Sequence, residues 1–222
     1  MDIKITEAAK SFKNRSGKVL EIIKDLNLEI KSGSVLKIEG ASGSGKTTLM
    51  NVISGLISPD KGKVEIGGVD ISLLSESEKD RFRAENIGYI FQTFNLLSPF
   101  SAIENVYAPA AFSGKLKPGY KEKALEILKS VGLEGFEKSM PYHLSVGQRQ
   151  RVAVARVLFS ENKIILADEP TASLDKVSSK AVFDSLMKCR EFGATIIFAS
   201  HDETFKELSP DQVLSLDKGG AA

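Results

Sequence analysis

The sequence predicts an α/β protein with a mostly parallel β-sheet covered by helices on both faces. Two observations carry this prediction: short β-branched runs alternate with helical stretches along most of the chain, and a glycine-rich loop joins one strand to a helix. Strands that alternate with helices are typical of a parallel sheet. The chain has 222 residues, of which 42% are hydrophobic, so it can bury a sizeable core.

Residues 1–30 predict a small antiparallel sheet. Apolar residues alternate loosely on either side of a polar stretch at 13–18, which is typical of a loop between two strands. Glycine, proline and capping residues divide the next part into a strand at 34–39, the glycine-rich loop at 40–45, a helix at 46–54, a turn at 58–62, a strand at 63–66 and a hairpin at Gly67-Gly68.

The rest of the chain predicts a helical region between further strands. From about 102 to 142, β-branched runs vanish and apolar residues recur with helical spacing. Around this region we expect a polar helix at 75–84, a strand at 87–91, a helix that begins at Ser145, a strand at 163–168, a helix at 176–192 and strands at 195–199 and 213–216. From Gly219 onward we expect a flexible tail.

The composition excludes several classes of protein. The chain has 30 Lys and Arg against 29 Asp and Glu, and both signs alternate along it, so nucleic acid is not expected as a partner. The single Cys189 cannot form an intramolecular disulfide, which fits a reducing cytosol. The longest apolar runs are far shorter than the roughly 18 residues needed to cross a bilayer. We therefore expect no direct membrane span.

The glycine-rich loop has the pattern of a phosphate-binding loop. It reads Gly40-Ala41-Ser42-Gly43-Ser44-Gly45-Lys46-Thr47, which fits G-x-x-x-x-G-K-[ST], and it lies between a predicted strand and a predicted helix. In such a loop the backbone N–H groups and the helix N-terminus surround phosphate oxygens. Lys46 would reach the terminal phosphates and Thr47 would offer a hydroxyl to Mg²⁺. A flexible Gly/Ser turn is the alternative, but it would not require the flanking strand and helix.

Two adjacent carboxylates follow the apolar strand at 163–168. Open parallel sheets bind ligands at the carboxyl ends of their strands, where Asp168 and Glu169 would lie. Asp168 would hold Mg²⁺ through water, and Glu169 could polarise the water that attacks a γ-phosphate. An acidic pair of this kind is often a helix cap or a loop pair, so the assignment depends on the phosphate loop.

Five further motifs occur in an order that resembles the ATP-binding-cassette (ABC) ATPases. They are Phe12 at the usual place of an adenine-stacking aromatic residue, Gln92 as the glutamine loop, Leu144-Ser145-Val146-Gly147-Gln148 as the signature, Ser173-Leu174-Asp175 as the D-loop, and His201 as the switch histidine. The resemblance covers nearly the whole chain. It implies a single domain. The P-loop NTPase core, with an N-terminal antiparallel β subdomain, would take up about 1–92 and 160–222, and an inserted helical subdomain would take up about 93–159.

The resemblance also implies roles for individual residues, with ATP and Mg²⁺ as cofactors. The catalytic set would be Glu169, His201, Lys46 and Gln92, and the metal would be held by Thr47, Gln92 and Asp168. Nucleotide contacts are implied for Phe12, Gly40, Ala41, Ser42, Gly43, Ser44, Gly45, Lys46, Thr47, Thr48, Ser145, Gly147, Gln148 and Asp175.

Structural roles would also account for several of these residues. Ser145 is a good helix N-cap, and Gln92 could simply end a strand. Phe12 could be part of the core, and a lone histidine such as His201 is often structural. The signature also departs from the family pattern, which has glycine where this chain has Val146, while Gly147 is retained. Ser200 stands where threonine is frequent, a minor change.

The segment after Gln92 reads Thr93-Phe94-Asn95-Leu96-Leu97, then Ala102, Glu104-Asn105-Val106 and Pro109. It resembles the branch of lipoprotein-release, macrolide-export and peptide-export ATPases and of the cell-division ATPase. The resemblance implies an ATP-bound homodimer on the cytoplasmic face of the inner membrane, coupled to a separate integral membrane permease. Force transmission without transport is the alternative. Phe94, Leu96 and Leu97 would receive the membrane subunit, although at least one of them is expected to be core. Chromosome-maintenance and ribosome-associated relatives would need a long heptad insertion or a second cassette, and the sequence has neither.

Overall fold

The computed structural model describes residues 1–14, 16–172, 174–200, 210–217 and 220–221. The strands are β1 (Ile3–Lys13), β2 (Val19–Ile30), β3 (Val35–Gly40), β4 (Lys61–Ile66), β5 (Val69–Asp70), β6 (Ile87–Ile90), β7 (Ile164–Asp168), β8 (Thr195–Ala199), β9 (Gln212–Asp217) and β10 (Gly220–Ala221). The helices are α1 (Lys46–Ile53), α2 (Glu76–Asn86), α3 (Ala102–Phe112), α4 (Tyr120–Ser130), α5 (Val146–Ser160) and α6 (Lys176–Glu191).

Two sheets organise the molecule, and they confirm the predicted fold class. The larger sheet has the order β10-β9-β3-β8-β7-β6 and is parallel except for the short β10, which runs antiparallel to β9. The smaller sheet has the order β2-β1-β4-β5 and is antiparallel. β3 carries the glycine-rich loop and lies between β8 and β9, and β7 follows β8. The carboxyl ends of β3 and β7 therefore open on the same edge.

The larger sheet divides the hydrophobic core in two. Along β7, Ile165 and Ala167 pack on the side of α3, α4 and α5, whereas Ile164 and Leu166 pack on the side of α1 and the smaller sheet. Successive strand residues point to opposite faces, so a strand buried on both faces needs an unbroken apolar run. All five residues of β7 are buried, and the first four, Ile164 to Ala167, are apolar for this reason.

Two expectations need correction. Gly62 was expected in a turn, but it lies in β4, which begins at Lys61. A Cβ on Gly62 would come within 2.3 Å of the Thr6 carbonyl oxygen, so glycine here permits a close strand-to-strand approach rather than a turn. From Gly219 onward a flexible tail was expected, but Gly220–Ala221 pairs with β9 as β10. Among the described residues, no helix is long and apolar enough to cross a membrane.

Candidate functional site

A cleft of about 720 Å³ opens at the carboxyl edge of the larger sheet. It brings together the glycine-rich loop, the end of β7 and the segment after β6, as expected for a parallel sheet. Its lining is Ile22, Ser42, Gly43, Gly45, Lys46, Thr47, Thr48, Gln92, Asp168, Glu169, Thr171, Ala172, Leu174, Lys176 and Ser179. The phosphate loop, the acidic pair and Gln92, which are distant in sequence, therefore share one site.

The glycine-rich loop has a backbone that only glycine tolerates at its first position. Gly40 has φ +150°, and a Cβ there would lie 2.4 Å from Ser44 Oγ and 2.5 Å from the Leu216 carbonyl oxygen. Gly45 has φ +104°, and a Cβ there would come within 2.6 Å of the Ile22 side chain. The loop is thus packed between β9 and β2 in one tight conformation.

The loop and the start of α1 carry polar groups that are suited to binding an anion. The first turn of α1 follows Gly45 without a side-chain cap, so its N–H groups depend on another partner. Ser44 Oγ is buried and has no hydrogen-bond partner. Lys46 is buried, and its Nζ donates to the Gly40 carbonyl at 2.7 Å and to the Ala41 carbonyl at 3.2 Å. This combination of a helix N-terminus and an ammonium group is suited to phosphate.

A hydroxyl and a carboxylate meet beside the loop. Thr47 Oγ1 donates to Asp168 Oδ2 at 2.5 Å, and Asp168 is buried at the end of β7. Oxygen donors of this kind, with the Gln92 amide in the same cleft, are the ligands that Mg²⁺ prefers. Burial and, to a smaller extent, the Asp168 charge raise the pKa of the nearby Tyr89 phenol, so this group stays neutral.

Glu169 has an unusual backbone. Its φ of +49° lies in the left-handed region, which is uncommon for a residue other than glycine. Its N–H donates to the Ala199 carbonyl at 2.9 Å, and its carbonyl accepts from Gln150 Nε2 at 2.9 Å. The turn directs the chain from β7 along the wall of the cleft.

The segment after Gln92 is held by α5. Phe94 and Asn95 both have left-handed backbones, with φ values of +63° and +46°. The Arg156 guanidinium donates to the carbonyl oxygens of both residues at 2.8 Å. Burial lowers the pKa of Arg156. Since a partly buried guanidinium is costly without hydrogen-bond partners, these contacts hold the segment against α5.

The signature residues lie outside this cleft. None of Ser145, Gly147 or Gln148 is among the described residues that line it. Ser145 caps α5: its Oγ accepts from the Gln148 N–H at 3.2 Å, and Gln148 Oε1 accepts from the Ser145 N–H at 2.8 Å. The capping pair therefore satisfies the Ser145 and Gln148 N–H groups, and Val146 is exposed beside it.

Other predicted site residues also lie apart from the cleft lining. Phe12 is 40% exposed on β1, with Lys10 Nζ 5.6 Å from its ring centroid. Asp175 caps α6, and its hydrogen bonds with the backbone and hydroxyl of Ser178 lower the pKa of its carboxyl. His201 and Ser173 lie outside the described residues. The proposed nucleotide contacts of these residues stay predictions.

Sequence reasoning missed several parts of the cleft. Ile22 packs over Gly45, and only its place in the alternating pattern of β2 distinguished it from other surface residues. Thr171 is buried with an unpartnered Oγ1, and it follows the acidic pair by two residues. A polar residue so close to the carboxylates at the end of a strand could have been predicted to line the same cleft. Lys176 and Ser179, at the start of α6, carried none.

The fold and the cleft together define a P-loop nucleoside triphosphatase. A parallel sheet delivers a glycine-rich loop, an ammonium group, a hydroxyl and two carboxylates to one edge. This arrangement suits transfer of a terminal phosphoryl group, where catalysis consists of positioning and electrostatic stabilisation.

Comparison with known proteins identifies the family. Residues 23–172 match the ABC transporter family. The lipoprotein-releasing system ATP-binding protein LolD of Bacteroides thetaiotaomicron is 38% identical over 216 residues, 97% of each chain. The methionine import ATP-binding protein MetN 2 of Enterococcus faecalis is 41% identical over 90% of this chain and 58% of its own length. The chain belongs to the ABC transporter family and is an ATP-hydrolysing cassette of that family.

A solved structure agrees with this assignment, and one sequence relative is much longer than this chain. A solved dimeric ATP-binding cassette, in a post-hydrolysis state with ADP and inorganic phosphate, superposes with a TM-score of 0.91 at 35% identity, covering 99% of this chain and 96% of the other. The syringafactin export ATP-binding/permease protein SyfD of Pseudomonas syringae is 42% identical, but this chain spans only 28% of its length.

Proposed function

We propose that this chain is the ATPase subunit of an export system, in which two copies close on two ATP molecules and drive a separate membrane permease. One observation carries the proposal: the cleft holds the phosphate loop, Asp168, Glu169 and Gln92, whereas the signature lies outside it. A chain with one copy of each half-site needs a second copy to complete the site. Two-fold pairing is the common form of closed dimer.

Within one cleft, the residues divide the work of hydrolysis. The N–H groups of the loop and of α1 would bind the phosphates, and Lys46 would leave the Gly40 carbonyl to reach the terminal phosphates. Thr47, Asp168 and Gln92 would hold Mg²⁺, which when bound neutralises charge on the phosphate oxygens. Glu169 would orient the attacking water.

The signature would bind the ATP held by the partner copy. The start of α5 is exposed at Ser145 and Val146, so a second chain can reach it. A ligand phosphate there would compete with the Ser145–Gln148 capping pair for the same N–H groups. ATP would thus stabilise the closed dimer, and loss of the γ-phosphate would let the copies separate.

A groove beside the segment after Gln92 would receive the permease. Two neighbouring clefts of about 340 and 400 Å³ share Ala84, Pro109 and Arg156. Leu97 and Phe112 line this groove and are 36% and 72% exposed, whereas Leu96 packs against the core. An apolar groove on a soluble chain fits an amphipathic segment of a partner. The cassette would then lie peripherally on the cytoplasmic face of the inner membrane.

The direction of transport would follow the permease, since the same cassette architecture occurs in LolD and in MetN 2. The lipoprotein-releasing role in the name of LolD favours a substrate that carries lipid, and the name of SyfD favours export. Co-purification of the permease and assay of substrate in reconstituted vesicles would decide it: accumulation on the side that holds the ATPase would overturn export.

The enzymatic part is tested by Glu169→Gln. We expect ATP hydrolysis to fall at least about a hundredfold, because the water loses its oriented base, while ATP binding persists. The variant should form a dimer with ATP, visible by light scattering after gel filtration. Glu161→Gln is a matched control, since Glu161 also has a left-handed backbone, with φ +50°, but pairs with Lys123 away from the cleft. A Glu169→Gln variant that stays monomeric and hydrolyses ATP normally contradicts the proposal.

A further inference from the structure

Glu169 adopts a backbone conformation that its sequence context opposes. Its φ of +49° is left-handed, although it is not glycine and precedes Pro170, which favours an extended backbone in the residue before it. Such a conformation persists only where the surroundings enforce it. The turn that carries this carboxylate therefore needs contacts from outside itself.

Gln150 provides one of those contacts from α5. Its Nε2 donates to the Glu169 carbonyl at 2.9 Å, across 19 residues of sequence. The carbonyl also accepts the Ala172 N–H at a longer 3.3 Å, and the Glu169 N–H is held by Ala199. Both backbone groups of Glu169 are thus fixed, one by the neighbouring strand and one by a side chain of α5.

Gln150 occupies a position where an apolar residue would be expected. It is 2% exposed, and the residues that follow it on the same helix face, Ala153, Val154 and Val157, are buried and apolar. A buried amide costs free energy unless its polar atoms are hydrogen-bonded. Packing alone therefore does not explain a glutamine here, whereas the bond to Glu169 does.

We propose that Gln150 is a positioning residue for ATP hydrolysis, which acts from the signature helix on the peptide of Glu169 and so aims its carboxylate into the cleft. The inference rests on the proposed hydrolytic role of Glu169. Gln150 lies five residues after Ser145, about 7.5 Å along α5. A shift of the signature when it binds the partner's ATP is therefore transmitted through one short helical segment to the carboxylate of the same chain.

The first test replaces Gln150 with methionine, which has similar length and no donor. We expect kcat to fall about tenfold to a hundredfold, because small displacements of a catalytic group are costly. The dissociation constant for ATP, measured without Mg²⁺ by fluorescence titration, should stay within about twofold, since the phosphate loop is untouched. Rates are normalised to the fraction of chains that bind nucleotide, which removes any effect of partial unfolding.

The second test uses Gln150→Glu and the pH profile of kcat. At high pH the ionised carboxylate cannot donate to the Glu169 carbonyl and repels it. Burial would raise the pKa of the new carboxyl, so on lowering pH it protonates and donates an O–H in place of the amide. We expect the ratio of variant to wild-type kcat to rise from pH 8 to pH 6. A purely structural role gives a flat ratio.

Ser185→Ala is the control, because it removes another buried side-chain hydrogen bond, from Ser185 Oγ to the Ala181 carbonyl, outside the cleft. Its normalised kcat should equal that of the wild type. The inference is overturned if Gln150→Met keeps kcat within twofold of wild type, or if the Gln150→Glu ratio does not rise at low pH. Failure of the proposed function is a separate result: the wild-type chain would then not hydrolyse ATP, or Glu169→Gln would not slow it.

Discussion

The N-termini of α1 and α5 both present backbone N–H groups, but only the N-terminus of α5 has a side-chain cap. Each presents the unpaired N–H groups of a helix N-terminus beside a glycine, and each is predicted to bind phosphate. At α1 no side chain caps the helix, and the loop before it is packed under Ile22 and Leu216. At α5 the Ser145–Gln148 pair closes the helix end, which lies at the surface.

Under the proposed function, this difference separates a nucleotide site that is complete within one chain from one that needs another chain. The α1 site lies in a cleft lined by an ammonium group and carboxylates, so we expect a single chain to bind nucleotide there. The residues of the α5 start do not line this cleft, and the capping pair occupies the N–H groups of Ser145 and Gln148. Under the proposed function, the α5 start would bind phosphate only when a second copy brings ATP to it, so its binding would depend on dimer formation.

Lys46→Met should have the largest effect and should act on the α1 site alone. Loss of a charge-assisted hydrogen bond to phosphate costs about 1.5–3 kcal/mol, or roughly 10- to 150-fold in affinity. Equilibrium titration of the single chain with labelled ATP measures it. If affinity is unchanged, the α1 site is not where nucleotide binds, and the contrast between the helices fails.

Gly40→Ala tests whether the α1 site depends on its packed loop. The added Cβ would meet Ser44 Oγ and the Leu216 carbonyl at 2.4 and 2.5 Å, so β9 or the loop must move. We expect a loss of about 1–3 kcal/mol in the free energy of unfolding, as for other overpacked sites, together with weaker ATP binding. Urea unfolding monitored by circular dichroism measures the first. Gly43→Ala, whose Cβ would meet no atom within 4 Å beyond its chain neighbours, separates this clash from the shared cost of a positive φ.

Ser145→Ala should affect the α5 site and leave the α1 site intact. Removing the cap costs about 1 kcal/mol of stability. In a Glu169→Gln background we expect ATP-dependent dimerisation to weaken about tenfold, while ATP binding by the separate chain changes less than twofold. Sedimentation velocity with and without ATP provides both numbers. Equal losses in both assays would mean that the two helix ends do not act separately.

Val146→Gly should have the smallest effect, and it should strengthen ATP-dependent dimerisation rather than weaken it. Val146 is 45% exposed at the first turn of α5, where its side chain would limit approach to a partner's phosphate. Glycine there lowers helix stability by about 0.5 kcal/mol but allows closer contact, so we expect dimer affinity to rise a few-fold. Weaker dimerisation would show that the valine contributes a favourable contact.

The local features of the molecule could be predicted from the sequence. The buried strand β8 was placed at 195–199, its observed bounds, because this short run consists of β-branched and apolar residues. Ser145 was placed as the cap of α5 from residue type alone. The phosphate loop was identified because its motif places flexible glycines, a lysine and a threonine at fixed positions between a strand and a helix. These features depend on residues that are adjacent in the chain.

The contacts between separated segments were decided by the tertiary structure. Gln150 was passed over because a glutamine within a helix has no sequence signal for its bond to Glu169. Arg156 likewise reaches Phe94 and Asn95 only because α5 packs against the segment after β6. Sequence by itself determined the elements and the phosphate loop, since backbone preference and amphipathic pattern are local. Which side chains from separate segments come into contact was decided by the tertiary structure, because such contacts depend on how strands and helices far apart in the sequence pack together.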